Sequence, residues 1–332
     1  MHMKKYIYVI ELLLGGLLAS CGSVDVLTYD QLHPAELSFP AEIRQVGVVN
    51  NMAHREVPMN DLILGVVQGE GPAVTEALAG ALADSKYFDQ VVICDSALQA
   101  KDADVTVDPM LSIERVNQLT SDLGVDMLVS MEGMWVETAK KQVEYPGLNA
   151  LIPVVQATVT PVLRLYLPNR SQPMSTLTLP DSIYWDLGSA ISEKVILKEA
   201  NRIVANKIAD CLVPSWKPVE RVYFCGGCVE MRDAAVYLHE GSWQEAQDLW
   251  KELYNRLRKG KTKAKAAYNI ALSYEMLGNL DEALVWVKKS AEFVAPQSEE
   301  EKLIQYYTAA LNRRIQEMVS LKSQMSRFND NF

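Results

Sequence analysis

The sequence predicts an α/β domain with a mixed sheet and flanking helices, followed by an all-α domain built from helical repeats. Two observations lead to this fold class. Short apolar strands alternate with amphipathic helices between residues 41 and 215. A motif of aromatic, glycine and alanine residues then recurs 37 positions apart between residues 229 and 296.

Three strands and two helices are predicted in the first part of the α/β domain. Residues 42–50, 90–94 and 126–134 are apolar runs of strand length, and residues 73–87 and 113–123 carry apolar side chains at helical spacing. Gly124 is expected to end the second helix, since glycine readily adopts the left-handed backbone found there. This order of elements is typical of a layered α/β domain.

The second part of this domain is predicted to add antiparallel strands and a closing helix. Residues 154–167 and 176–185 are rich in valine, threonine and leucine and are bounded by prolines, which favours strands. Residues 191–212 form an amphipathic pattern with Val195 as one of the candidate core residues. Prolines 214 and 218 then indicate a linker over residues 216–228.

The N-terminus resembles the signal of bacterial lipoproteins. An apolar stretch over residues 6–19 follows two lysines and is too short to span a bilayer. It ends in Leu-Leu-Ala-Ser before Cys21. The resemblance implies a signal peptide over residues 1–20, lipidation of Cys21 including an amide-linked chain such as palmitate, and a tether over residues 21–40. An ordinary secretory signal, in which Cys21 is incidental, is the alternative.

Residues 34–135 resemble the small α/β domain of certain envelope lipoproteins. The resemblance lies in Pro34-Ala35-Glu36 before an apolar strand, in Phe88-Asp89-Gln90-Val91-Val92, and in the run from Leu123 to Val129. Curli-secretion lipoproteins and penicillin-binding-protein activator lipoproteins share this arrangement, as does an uncharacterised Gram-negative lipoprotein family that joins it to helical repeats. The resemblance implies an outer-membrane protein that faces the periplasm, attached to the membrane by its lipid.

The C-terminal domain, residues 229–328, resembles the tetratricopeptide repeat. Small residues let paired helices approach, glycines turn the chain, and large apolar side chains fill the space between helices. The signature residues are Tyr237, Gly241, Ala246, Trp250, Tyr274, Gly278, Ala283 and Pro296. Two repeats need a cap, and a long helix over residues 299–327 is expected to supply it, with a partner-binding coiled coil as the alternative.

Two further features of the helical domain have competing interpretations. Six basic residues lie between positions 256 and 265. They either attract anionic headgroups or an acidic partner, or form a solvated helix end and loop. Cys225 and Cys228 form a C-x-x-C motif, which indicates either a possible disulfide or a redox pair. Redox chemistry is disfavoured because helical repeats, and not a βαβ unit, follow the motif.

Composition and motifs together favour a protein that binds other proteins and is not an enzyme. The formal net charge of −10 falls within residues 1–224, which carry 17 basic and 27 acidic residues, so nucleic acid is not an expected partner. No catalytic residue, metal site or cofactor is predicted. We therefore expect an interaction scaffold for other envelope proteins, with a subunit of an assembly or secretion apparatus, or an exported thiol-redox enzyme, as alternatives.

Overall fold

The computed structural model describes residues 23–52, 65–94, 96–99, 110–145, 150–186 and 192–328. They form two compact units. The sheet unit contains described residues from 35 to 215 together with 326–328, and the helical unit contains residues 23–34 and 216–325. The fold class is as predicted: a mixed sheet with flanking helices, then an all-helical region.

The sheet unit contains a mixed sheet with the strand order β4-β2-β5-β6-β7. Its strands are β2 (Gln45–Asn50), β3 (Gly65–Gln68), β4 (Gln90–Cys94), β5 (Met127–Tyr145), β6 (Ala150–Tyr166), β7 (Ser175–Thr178) and β8 (Asp181–Asp186). Strand β2 pairs in parallel with β4 and β5, and the remaining pairs are antiparallel. The predicted strands are confirmed, although residues 176–185 form two strands where one was expected.

Helices cover both faces of the parallel part of this sheet. Helices α1 (Gly71–Asp84) and α3 (Glu193–Leu212) lie over the face that carries Val46 and Val48, whereas α2 (Ile113–Leu123) packs on the face that carries Val49. Because successive side chains of a strand point to opposite faces, one apolar run can supply both cores.

The buried stripe of α3 differs from the prediction. Val195 is 43% exposed, and the core contacts come from neighbouring positions of the helix. The buried residues are Ile196, Leu197, Ala200, Val204, Ala205, Ile208 and Leu212. The predicted stripe was therefore displaced by about one residue over the first turn, where several apolar residues stand side by side and the period alone does not distinguish the faces.

Strands β5 and β6 form an antiparallel ladder much longer than the sequence predicts. The register continues from Leu128 opposite Tyr166 to Tyr145 opposite Ala150, with one irregularity between Met131 and Gly133. Residues 139–145 include two lysines, a glutamine and a glutamate, which disguise the strand pattern in the sequence.

In its described residues, the helical unit combines a two-stranded sheet with five α-helices. Strand β1 (Val24–His33) pairs with β9 (Ser215–Phe224). The helices are α4 (Val229–His239), α5 (Trp243–Arg256), α6 (Lys261–Met276), α7 (Leu280–Ala291) and α8 (Glu299–Met325), and each of them packs against the next. Within the described residues, no helix combines the length and apolarity needed to cross a membrane.

Two segments assigned to a tether and a linker contain strands. Residues 24–33 of the predicted tether pair with the strand Ser215–Phe224, all but the first residue of which lies in the predicted linker over residues 216–228. Each strand alternates between exposed and partly buried side chains, a pattern that prolines and aspartates obscure in the sequence. The helical unit therefore includes a strand from the beginning of the chain.

Candidate functional site

The two helical repeats end their first helices with the same hydrogen-bonded turn. The carbonyl of Tyr237 accepts from the amide of Ser242 at 2.9 Å, and the carbonyl of Tyr274 accepts from the amide of Asn279 at 2.8 Å. Gly241 and Gly278 provide the left-handed backbone that this turn requires, with φ of 75° and 79°. The sequence repeat is thus a repeat of backbone geometry.

The small and large signature residues pack as the repeat predicts, with one exception. Ala246, Trp250 and Ala283 are fully buried in the helical core. Tyr274 is half-buried, and its hydroxyl accepts a hydrogen bond from Lys251. Tyr237 is instead exposed, because α4 is the first helix of the stack and has no preceding repeat to cover that side.

Pro296 lies in the exposed connection between α7 and α8, outside both helices. The long helix α8 packs against α7. Tyr307 and Leu311 of α8 are buried in the helical core, as expected of a cap. The alternative, a coiled coil for a partner, receives no support from these buried positions.

Helix α6, the first helix of the second repeat, is covered on nearly all sides. Most of its residues from Ala264 to Glu275 are buried, although the first helices of such repeats usually line an exposed concave surface. Asn269 of α6 accepts from the amide of Phe224 at 3.0 Å and donates to its carbonyl at 2.6 Å. The strand β9 therefore lies on the face of α6 that an extended partner would need.

A buried ion pair joins the two strands to the helices. Glu275 of α6 accepts from Arg221 of β9, with Nη2 to Oε1 at 2.8 Å and Nε to Oε2 at 3.1 Å. The hydroxyls of Tyr29 and Tyr307 donate to the same carboxylate at 3.0 Å and 2.7 Å. Burial alone would lower the pKa of Arg221, but the hydrogen bonds and charge of Glu275 raise it above its usual value.

The C-x-x-C motif lies between β9 and α4, with Cys228 at the position before the first helical residue. Both residues are thiols in the structure, and a disulfide between them stays a prediction. Burial raises the pKa of both thiols, and the nearby carboxylates of Asp25 and Glu230 raise the pKa of Cys225 and Cys228 respectively. A reactive cysteine needs the opposite shift, because the thiolate is the nucleophile.

The basic run at 256–265 is partly engaged within the helical unit. Arg256 pairs with Glu230, and Lys261 pairs with Glu300 at 3.1 Å. Lys263 lies 4.2 Å from the centre of the Tyr254 ring and donates to the carbonyl of Leu257. Arg258 and Lys259 are exposed and form no ion pair with a described residue.

The outer face of α4 carries exposed apolar side chains. Val229 and Val236 are each 57% exposed and stand seven residues apart, with Tyr237 beside them. Its opposite face is buried through Met231, Ala234, Ala235 and Leu238. Arg232 and Asp233 are exposed between the two valines, so this outer face is mixed, whereas terminal helices of repeat stacks usually carry a polar one.

The sheet unit contains a buried polar cluster that the sequence analysis did not find. Asn50 and Asn51 end the parallel strand β2, and Glu132 of β5 lies beside them. Glu132 accepts from the side-chain amide of Asn51 at 2.6 Å and from the hydroxyl of Tyr166 at 3.1 Å, and Arg164 is 3.9 Å away. Burial raises the pKa of Glu132 above its ordinary value, although each of these partners lowers it.

Ligands of open α/β sheets often bind at the carboxyl ends of parallel strands, which is where this cluster lies. A glutamate inside a strand gives no signal in a single sequence, because nothing marks it as buried. In the sequence, only Asn50 and Asn51 stand out, as two polar residues at the end of an apolar run. Since Glu132 has hydrogen-bond donors from Asn51 and Tyr166, the cluster also serves simply to join β2, β5 and β6.

Cys21 lies outside the described residues. The nearest described residue is Ser23, whose carbonyl accepts from the amide of Cys225 at 3.0 Å. Ser23 is therefore bound directly to the helical unit, next to the C-x-x-C motif.

Comparisons with known proteins place most of the chain in families without an assigned function. Residues 43–224, more than half of the chain, match the model of a domain of unknown function, DUF8603. Residues 232–313 match a second domain of unknown function, DUF6340. No curated protein matches the chain.

Two solved structures show a weak likeness. A hypothetical protein from Chlamydia trachomatis is 14% identical, with a TM-score of 0.30, and the match covers 51% of this chain and 98% of that one. A minor lipoprotein from Acinetobacter baumannii is 11% identical, with a TM-score of 0.23, and the match covers 51% and 87%. Scores this low support no argument about fold or function, so the resemblance to curli-secretion lipoproteins stays an expectation.

Proposed function

Since the chain belongs to the DUF8603 family, whose function is unassigned, we propose its role from its own residues. We propose that it is a lipid-anchored protein of the cell envelope, attached through Cys21, that acts as a non-enzymatic scaffold for another envelope protein. The helical unit is the binding part. The membrane location is most simply the outer membrane, facing the periplasm.

The observation that carries this proposal is the outer face of α4. Val229, Val236 and Tyr237 place exposed apolar side chains, with Arg232 and Asp233 between the two valines, at the open end of a helical stack, where a further helix would continue the packing. The partner surface is therefore different from the one usually expected of such repeats, because β9 already covers the inner face of α6.

The alternatives receive less support. A subunit of an assembly or secretion apparatus would use the same surface of α4, and it differs from a scaffold only in the identity of its partner. A thiol-redox enzyme would need an activated cysteine, whereas burial and nearby carboxylates raise the pKa of Cys225 and Cys228.

Site-specific photocrosslinking in the native envelope tests the binding surface. A photoreactive residue at Val236, in the full chain, is expected to give a discrete crosslinked product with another protein. Val319 of α8 is a matched control, because this valine is also exposed, at 72%. The full chain is required, since β1 contributes Tyr29 to the helical unit.

The same product from both positions, or none from Val236, would contradict the proposed surface. The anchor is tested separately with Cys21→Ala, which is expected to release the chain from the membrane fraction. If this variant still sediments with membranes after a high-salt wash, Cys21 does not hold the protein there.

A further inference from the structure

The segments that connect the helices differ in charge between the two ends of the helical unit. The helices run alternately up and down, since Arg256 at the end of α5 meets Glu230 at the start of α4, and Ser290 near the end of α7 donates to the carbonyl of Ala264 near the start of α6. The connection from α5 to α6 therefore lies at the end where α4 and α6 begin. The turns at Gly241 and Gly278 lie at the opposite end.

Charge follows this division. Residues 256–265, at the first end, contain six basic residues and no acidic one. Residues 240–248 and 277–287, at the opposite end, contain acidic residues and no basic one: Glu240, Glu245, Asp248, Asp281 and Glu282. This separation of charge runs along the helix axes. It does not appear in the net charge of residues 225–332, which is zero.

Acidic side chains at the basic end are mostly paired. The first turn of α8 lies there, because Lys261 contacts Glu300 at 3.1 Å. Glu299 pairs with Lys302 at 2.7 Å, and Glu301 accepts from the amide of Gln297. Glu230 is paired with Arg256. Arg258 and Lys259 thus project from this end without a partner among the described residues.

The N-terminal part of β1 lies beside α4 and does not belong to one end alone, since Asp25 lies 3.7 Å from His239, the last residue of that helix. The carbonyl of Ser23 accepts a hydrogen bond from the amide of Cys225. The ammonium group of Lys265 lies 5.0 Å from the centre of the neighbouring Phe224 ring. Two Cα–Cα steps of about 3.8 Å separate Ser23 from Cys21, so a lipid on Cys21 starts within roughly 8 Å of Ser23. The proposed anchor would therefore hold the helical unit close to the bilayer.

We infer that the basic end of the helical unit is a membrane-contacting surface that binds anionic lipid headgroups. Its contacts are Arg258 and Lys259, with Lys261 and Lys263 of the same segment beside them. A lipid chain and a basic cluster act together as two membrane signals. The orientation of this surface toward the membrane rests on the proposed anchor. The affinity for headgroups does not, because it comes from the basic side chains themselves.

Vesicle binding of the unlipidated chain isolates that affinity. The mature chain with Cys21→Ser is mixed with phosphatidylcholine vesicles, with and without 30% phosphatidylglycerol (a chosen composition of about one anionic lipid in three). We expect the chain to bind only the anionic vesicles, with an affinity that decreases as the salt concentration rises. Charge reversal by Arg258→Glu with Lys259→Glu is expected to weaken it roughly tenfold, since each basic residue near an anionic surface contributes on the order of a few-fold.

Lys140→Glu with Lys141→Glu is the matched control, because it makes the same charge change at two exposed lysines of the sheet unit. It is expected to change vesicle binding less than roughly twofold. Two results would overturn the inference. An equal loss of vesicle binding in both double variants would mean that the affinity depends on the net charge of the chain and not on this surface. Equal binding to both kinds of vesicle would mean that the affinity does not depend on lipid charge.

Lysine acetylation of the lipidated chain in nanodiscs provides a second measurement. Lys259 is expected to be acetylated several-fold more slowly in nanodiscs that contain phosphatidylglycerol than in nanodiscs of phosphatidylcholine alone. The acetylation rate of Lys140 is expected to be the same in both. If Lys259 is protected only by a protein in native envelopes, the partner is an acidic protein and the inference is wrong. Mass spectrometry of Cys21 tests the proposed anchor separately, and an unmodified thiol contradicts the proposed function whatever the vesicles show.

Discussion

Among the described residues, each unit has one deeply buried glutamate, and the two are compensated in different ways. The side chain of Glu275 in the helical unit is 4% exposed and that of Glu132 in the sheet unit is 2% exposed. Glu275 meets Arg221 in a two-pronged ion pair at 2.8 Å, whereas the guanidinium nearest Glu132 is 3.9 Å away. Neutral donors from Asn51 and Tyr166 supply the close contacts of Glu132.

The two buried carboxylates therefore have different roles in the protein. Glu275 is held by residues of β1, β9 and α8 and so fastens the strands to the repeats. Its charge is matched, and loss of the match is costly in a low-dielectric interior. Glu132 has a raised pKa because its compensation is incomplete, and it therefore makes the sheet unit sensitive to pH.

Removal of the guanidinium from the helical unit should have the largest effect. Arg221→Met leaves the carboxylate of Glu275 buried with only two phenols, and we expect a loss of about 3–5 kcal/mol of stability in the helical unit. Hydrogen exchange followed by mass spectrometry measures this, because peptides from α6 and β9 report on that unit separately from the sheet.

The double variant Arg221→Met with Glu275→Leu is the control for this prediction. It removes both charges, so much of the lost protection should return. If the single and double variants lose equal protection, packing of the Arg221 side chain and not its charge holds the strands on the helices.

An intermediate effect is expected where the strands meet α6 through neutral groups. Asn269→Ala leaves the buried amide and carbonyl of Phe224 without their partner, which should cost roughly 2 kcal/mol. Chemical denaturation monitored by exchange in β9 peptides measures it. Asn255→Ala, at an exposed position of α5, should be nearly neutral, and an equal loss there would show that the effect is not specific to β9.

The smallest effect is a change in pH dependence in the sheet unit. An acid with a raised folded-state pKa keeps its proton longer in the folded protein, so its contribution to stability is present below its ordinary pKa of 4.5 and is lost as pH rises through the folded value. Glu132→Gln should flatten this decline. The free energy of unfolding of the sheet unit, measured from pH 4.5 upward, checks it, and an unchanged slope would contradict the assignment.

Local patterns predicted most of the individual elements. The strands at 45–50 and 90–94 and the helix at 113–123 stand where the apolar spacing placed them. Gly124 ends that helix with a φ of 64°, as its left-handed preference predicts. The repeat was also found from sequence, because Gly241 and Gly278 mark equivalent turns.

Elements that depend on distant partners were missed. Strands β1 and β9 stabilise each other across nearly 200 residues of chain, and neither has a strong strand pattern of its own. The lengthening of β5 to Tyr145 similarly depends on the strand opposite it. The exposure of Tyr237 could not be predicted from the repeat, because a signature residue is buried only when a neighbouring repeat is present.

The sequence by itself determined the two kinds of domain, the turns of the repeats and the lipoprotein-like beginning, since each depends on residues within a few positions of one another. Only the tertiary structure decided that β9 covers the inner face of α6, that Arg221 meets Glu275, and that Glu132 is buried. Such contacts join residues 45 or more positions apart or depend on burial. Their stability comes from desolvation and geometry that no local pattern records.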